Sequence, residues 1–299
     1  MLLPVSRPLI NADLIAILRP ADPQEIQFVL QIRRLGPHRP YPCYNPPTES
    51  SKKARIQVLR EYHKWHSPIL NREMELLQFG HAGARVIIFP TSCGRFFDWE
   101  NRGMINALAR HIDEGWLQVF CVDGVDNESW FNTHANPTDR ARRHLQFQEY
   151  IIQEALPFTK SKNDNDFVIA CGASFGAYHS YSIAMRYPTH FNRVLGMSGV
   201  YDVREWTNNE MNDVIAQGSP CEYMLSLHDS NQLDQIRKLD LIIPVGRMDP
   251  LFGNNRWFSQ ILWEKGIWHA FREWDGFGHD WPWWYDMIQH YIGGPESRP

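Results

Sequence analysis

The sequence predicts an α/β fold: a mostly parallel central sheet with helices on both faces, entered through an antiparallel hairpin. Three observations carry this. From about Glu61 onward, short apolar runs alternate with helical stretches. The runs are bounded and rich in Val, Ile or aromatic residues, as buried strands are. One of them opens directly into Gly172-Ala173-Ser174-Phe175-Gly176 and then an Ala-rich amphipathic segment, the order strand, G-x-S-x-G, helix.

Residues 1–59 stand apart as an N-terminal arm. Asp22 as N-cap, Pro23 at the first helical position and Gly36 past the end predict one short helix carrying Ile26, Val29 and Leu30. The proline-dense run Pro37 to Pro47 then denies its backbone ladder bonds and reads as an extended linker. A lid, a dimer contact and an upstream extension of the reading frame are all compatible with this arm. Residues 60–299 form the predicted catalytic domain. Glu61 to His66 and Arg72 to Phe79, parted by Ser67-Pro68, read as the opening hairpin. Further strands are predicted at Arg85 to Pro90, Leu117 to Val122, Asp166 to Cys171, Arg193 to Ser198, Leu239 to Val245 and Trp268 to Trp274. Helices are predicted at Asn101 to Ile112, Thr138 to Leu156, Ala177 to Arg186, Asn231 to Lys238, Asn254 to Lys265 and Trp281 to Ile292. Strand and helix in turn imply βαβ units.

Composition narrows the function. The 299 residues are 43% hydrophobic and 21% charged, ordinary globular material. With 34 acidic against 30 basic residues, the chain lacks the basic excess that nucleic-acid binding needs. The five cysteines (Cys43, Cys93, Cys121, Cys171, Cys221) show no C-x-x-C spacing, so neither a disulfide framework nor a zinc site is expected. Arg7, Pro8, Asn11 and Asp13 interrupt any apolar run at the N-terminus, and no stretch approaches the roughly 20 apolar residues that cross a bilayer. The expectation is a cytoplasmic protein without membrane or nucleic-acid partners and without a cofactor or metal; a homo-oligomer stays open.

Ser174 is the candidate nucleophile. A serine on a sharp strand-to-helix turn is strained and exposed, the flanking glycines remove side chains that would clash, and the helix points its positive end at a developing oxyanion. Ser198, in Gly196-Met197-Ser198-Gly199, lacks that spacing and reads as structural. The base must lie downstream. His279 follows the last strand in the loop Gly276-Phe277-Gly278-His279, whereas His269 falls in that strand, His290 late in the last helix and His228 in a polar connection. The acid should end the preceding strand, and Asp249 does so in Gly246-Arg247-Met248-Asp249-Pro250. Asp202 and Asp280 are its rivals. An acid there would accept the Nδ1 proton of His279 and fix its tautomer. One oxyanion donor is expected at the Phe175 N–H; the second is expected in Thr91-Ser92-Cys93-Gly94, with Ser92 chosen and Cys93 next. Trp99, Trp130 and Trp281 fall in predicted rim loops and are candidates for an apolar substrate pocket, with helix packing the competing account of Trp281.

These segments, in this order, resemble the esterase D and antigen 85 branch of the α/β-hydrolases over about Glu61 to Ile292: the hairpin, Phe89-Pro90-Thr91-Ser92-Cys93-Gly94, the Gly172 to Gly176 turn, Gly246-Arg247-Met248-Asp249 and Gly278-His279. Arg140-Ala141-Arg142-Arg143-His144, with Tyr150 and Pro157 beyond, is similar to bacterial members of that branch. The resemblance implies a sheet without a large cap domain and carboxylesterase chemistry on a small-molecule ester, small to medium acyl esters and polyesters among them. It also embraces thioesterases and acyltransferases with the same triad. A non-catalytic binding protein on this fold is the reading from another class. Thr91-Ser92-Cys93-Gly94 departs from the His-Gly start common in such loops, and the arm has no counterpart there.

Overall fold

The computed structural model describes residues 59–293, within which the apolar runs become one eight-stranded sheet ordered β1-β2-β4-β3-β5-β6-β7-β8. The helix expected after Asp22 and the Pro37 to Pro47 linker lie outside the described residues. The strands are β1 (Arg60–Ser67), β2 (Arg72–Phe79), β3 (Ala84–Phe89), β4 (Leu117–Val122), β5 (Val168–Ala173), β6 (Arg193–Met197), β7 (Asp240–Gly246) and β8 (Ala270–Trp274). β1 and β2 form the predicted hairpin, with Arg60 opposite Phe79 and Ser67 opposite Arg72. β2 is antiparallel to both its neighbours, and β3 to β8 are parallel. The loops that follow β3 to β8 therefore open at one edge, where ligand sites of such sheets lie.

The helices are α1 (Asp98–Asn101), α2 (Met104–Ala107), α3 (Ala109–Asp113), α4 (Pro137–Tyr150), α5 (Leu156–Lys162), α6 (Phe175–Arg186), α7 (Asp213–Gly218), α8 (Pro220–Ser226), α9 (Ser230–Ile236), α10 (Phe252–Glu264) and α11 (Trp281–Tyr291). Period-two alternation sorts the strand side chains into two cores. Ile87, Phe89, Phe120, Val122, Ala170, Leu241 and Ile243 join Phe147, Ile183, Phe258 and Ile261 from α4, α6 and α10. Their neighbours Val86, Ile88, Val119, Cys121, Ile169, Cys171 and Ile242 join Trp99, Met104, Ile112, Trp284 and Ile288 from α1 to α3 and α11. Helices thus cover both faces, as predicted.

Two helical expectations change. The helix expected from Asn101 to Ile112 is divided into α1, α2 and α3, because Gly103 takes φ 80 and turns the chain between the first two. The helix expected from Thr138 to Leu156 starts at Pro137, where the Asn136 side chain accepts the Asp139 N–H at 2.9 Å. It then passes through a π turn at Ile151–Ala155 into α5. Between β6 and the helix expected at Asn231 to Lys238, where the sequence predicts none, the chain also forms α7 and α8, capped by Asn212 and Ser219. Among the described residues no helix is long and apolar enough to cross a membrane.

Candidate active site

β5 delivers the chain to Ser174, which takes φ 54 and ψ −118 ahead of α6. A non-glycine residue there stores on the order of 1–3 kcal/mol, held only where surroundings fix it. The glycines show how. A Cβ on Gly172 would lie 2.2 Å from the Gly176 carbonyl carbon, and one on Gly176 would lie 2.5 Å from the Phe89 carbonyl oxygen. The turn is pinned by Ser174 N–H donating to Met197 O at 2.9 Å. Ser174 keeps partial exposure while Ala173 and Phe175 are buried. Phe175 is the first residue of α6, so its N–H has no intrahelical acceptor.

The loops after β7 and β8 bring Asp249 and His279 together. His279 Nδ1 lies 3.0 and 3.1 Å from the two Asp249 carboxylate oxygens. The Asp249 side chain is fully buried and that of His279 is 7% exposed. A carboxylate only accepts, so Nδ1 carries the proton and Nε2 is left as the acceptor. Asp249 Oδ1 accepts the Leu251 N–H as well, at 2.8 Å. The two loops are stitched by Arg247 N–H to Trp274 O at 2.8 Å and Met248 N–H to Gly276 O at 2.9 Å. The Arg247 guanidinium donates to Glu273 and Asp275 across the same seam. Ser198, read as structural, donates its hydroxyl to the Gly278 carbonyl at 2.8 Å and so anchors the histidine loop. At Gly278, φ 70 and a Cβ position 2.5 Å from Gly246 admit only glycine.

The rivals are occupied elsewhere. Asp202 pairs with Arg204, and Asp280 caps α11 by accepting the Trp281 N–H at 2.7 Å. His269 is buried against Ser259 at 2.6 Å; His228 and His290 are exposed. The structure draws no hydrogen bond between Ser174 and His279. Nucleophile and base are often looser than bonding distance until a substrate is seated.

The loop after β3 is held from both ends. Asp98 Oδ2 accepts the Thr91 N–H at 3.0 Å and the Thr91 hydroxyl at 2.8 Å. Cys93, at φ 54, donates its N–H to Asp126 Oδ2 at 2.9 Å. Of the two amides nominated for the oxyanion, that of Cys93 is therefore taken, and among the described residues that of Ser92 meets no acceptor. The tryptophans fall differently. Trp99 is 1% exposed beneath the sheet, and Trp130 is 2% exposed with its indole donating to the Tyr178 hydroxyl at 2.5 Å. Burial leaves neither a face for a ligand. Trp281 keeps partial exposure and meets Trp284, whose ring lies edge-on to His279 at 5.4 Å. The partly exposed rings beside Phe175 are instead Phe131 at 5.1 Å and Trp206 at 5.0 Å. Their contact with Phe175 joins separate connections, so no local pattern in the sequence marks it.

Behind the loop, Arg95 donates to the fully buried Asp123 at 2.5 Å and also meets Glu75. Burial raises the Asp123 carboxyl above its ordinary range, against the opposing pull of Arg95. Cys121, Cys171 and Cys221 are buried, and burial pushes their thiols up, which keeps them protonated and unreactive. Cys43 lies outside the described residues. Among the described residues no group of His, Cys, Asp or Glu is arranged to hold a metal ion.

The family model described as “Putative esterase” matches residues 96–290. Among solved structures, a ferulic acid esterase superposes with TM-score 0.61 at 18% identity, over 78% of this chain and 96% of that one. An S-formylglutathione hydrolase from Staphylococcus aureus gives TM-score 0.54 at 18% identity, over 78% and 94% of the two chains. MPT51 of Mycobacterium tuberculosis gives 0.56 at 14% identity, over 77% and 95%. At such identities the structural likeness is one of fold. No curated protein matches the sequence.

Proposed function

The chain belongs to the α/β-hydrolase family described as “Putative esterase” and is a serine esterase, and on that premise we propose that it cleaves carboxylic esters through Ser174, His279 and Asp249 by way of an acyl-enzyme. The observation that carries this reading is the buried His279–Asp249 pair, closed at 3.0 Å at the same sheet edge as the left-handed Ser174. Ser174 Oγ attacks the ester carbonyl and passes its proton to His279 Nε2, while Asp249 stabilises the imidazolium. The carbonyl oxygen becomes an oxyanion facing the N–H groups of Phe175 and Ser92. Collapse expels the alcohol, which takes the proton from His279. Water, deprotonated by the same histidine, then attacks the acyl-enzyme and releases the acid and Ser174. The catalytic unit is proposed to begin with β1 at Arg60. Phe131 and Trp206 would give the acyl group an aromatic wall.

Steady-state hydrolysis of p-nitrophenyl esters from acetate to laurate tests this, with wild type beside folded Ser174→Ala and His279→Ala. Turnover in wild type and its near-complete loss in both variants is the expected result; equal turnover in Ser174→Ala would sink the assignment. The names of two structural neighbours put a ferulate ester and S-formylglutathione in the same panel.

A further inference from the structure

The two amides assigned to the oxyanion belong to different segments, the Ser92 N–H to the loop after β3 and the Phe175 N–H to the head of α6. The end of β3 and the head of α6 already meet at Gly176, so what is left to fix is the Thr91 to Gly94 loop against α6. Asp126, just after β4, touches both. Its side chain is 1% exposed, as is that of His179. Oδ2 accepts the Cys93 N–H at 2.9 Å, and Oδ1 lies 2.9 Å from His179 Nε2. His179 stands one helical turn beyond Phe175 on α6, and the two rings meet edge to face at 4.8 Å.

The geometry of the loop says what the Cys93 contact does. Thr91 C=O and Ser92 N–H share one peptide plane and point in opposite directions. Gly94 N–H holds that carbonyl at 2.8 Å, which turns the Ser92 amide away from the interior of the turn. The turn closes only with Cys93 left-handed at φ 54, a conformation a non-glycine residue leaves unless something retains it. Asp126 supplies the retaining bond. A buried carboxylate needs donors on its remaining lone pairs, and His179 provides one. The His179 ring is itself boxed by Phe89 at 5.8 Å and Phe147 at 5.2 Å. Its Nδ1 has no partner among the described residues, so Nε2 is the nitrogen through which it bonds.

We propose that Asp126, oriented by His179, is a positioning residue that holds the Ser92 amide in register with the Phe175 amide across the oxyanion hole. The proposal rests on the esterase mechanism above. Hydrogen bonds to an oxyanion strengthen as charge develops, so misplacing one donor lowers kcat and leaves ground-state binding nearly unchanged.

The test uses the full chain as wild type, Asp126→Leu, His179→Leu and His179→Gln. Three quantities are read: kcat and KM on p-nitrophenyl acetate, inhibition by an aryl trifluoromethyl ketone whose serine adduct carries an oxyanion, and Tm. Asp126→Leu, which removes both acceptor oxygens, and His179→Leu are each expected to lose roughly 10²-fold in kcat and a similar factor in ketone affinity, with KM within about threefold of wild type. Gln places an N–H where His179 Nε2 stands, so His179→Gln should recover most of the loss. Should Asp126→Leu fail to fold, the His179 pair carries the same test. Unchanged kcat in Asp126→Leu or His179→Leu overturns the proposal, as does a fall in kcat with ketone affinity intact or with the His179→Gln variant no better than His179→Leu. Folded wild type that hydrolyses no ester removes the esterase mechanism and this proposal together, whereas active wild type with indifferent variants removes this proposal alone.

Discussion

His279 and His179 each lie against a buried carboxylate, and access is what separates them: one side chain is 7% exposed on a loop, the other 1% inside a helix. The same criterion distinguishes the aspartates. Asp249 bonds Nδ1 of an accessible histidine, whereas Asp202 is taken up by the guanidinium and backbone N–H of Arg204. Asp249→Asn would present an amide to Nδ1, favour the wrong tautomer and lower kcat by on the order of 10⁴-fold, while Asp202→Asn should leave kcat within about twofold, since a half-exposed pair contributes little. Kinetics of the two variants side by side decide this, and a collapse in the Asp202 variant would move the acid. Ser174, Asp249 and His279 were legible in the sequence as candidates, because each follows a predicted strand. Asp126 was not, since its partners Cys93 and His179 are 33 and 53 residues away in the chain and neither contact leaves a local pattern.

At the scale of elements, the Gly172 to Gly176 turn depends on β3, β5 and α6 approaching without side chains between them. A methyl group at Gly176 would meet the Phe89 and Pro90 carbonyl oxygens at 2.5 and 2.8 Å, so β3 and α6 would have to separate. Gly176→Ala should therefore cost at least about 2 kcal/mol and abolish turnover, because backbone cannot yield as a flexible side chain does. Gly253 offers the opposite case: it lies in the first turn of α10, and a Cβ there meets nothing within 4 Å. Gly253→Ala should raise stability by up to about 1 kcal/mol through lost freedom in the unfolded chain. Urea unfolding of both variants checks the pair; a stabilised Gly176→Ala would contradict the close approach. Strand positions were read within two residues because the central runs are continuously apolar and the outer ones are bounded by turn residues. Helix boundaries were less legible. Gly103 breaks one predicted helix by a backbone conformation, and α7 and α8 are short enough that their caps, Asn212 and Ser219, are nearly their whole signal.

For the molecule as a whole, the two cores could be foreseen from alternation along the strands, but the polar groups sealed into them could not, and these set its response to acid. His144, fully buried on α4, has its pKa held well below the ordinary 6.5, first by burial and then by His179 and Arg186. Gln148 explains how it stays neutral: Arg186 engages the amide oxygen, so the amide nitrogen faces His144 Nε2 at 2.8 Å and donates to it. Burial lowers His269 in the same sense, opposed by its bond to the Ile267 carbonyl. For such groups the unfolded chain takes up a proton below about 6.5 and the folded chain does not. Their contribution is complete above that pH and is lost as pH falls from it toward the folded value, by up to about 1.4 kcal/mol per pH unit for each group. Asp123 acts the other way, since a raised carboxyl binds its proton more tightly folded than unfolded. A comparison that isolates the histidine is therefore required. His144→Gln keeps an acceptor for the Gln148 amide and cannot be protonated, so its Tm should fall less steeply than that of wild type between pH 7.5 and 5. Parallel Tm profiles for the two proteins over that range would show that His144 titrates alike in the folded and unfolded chain.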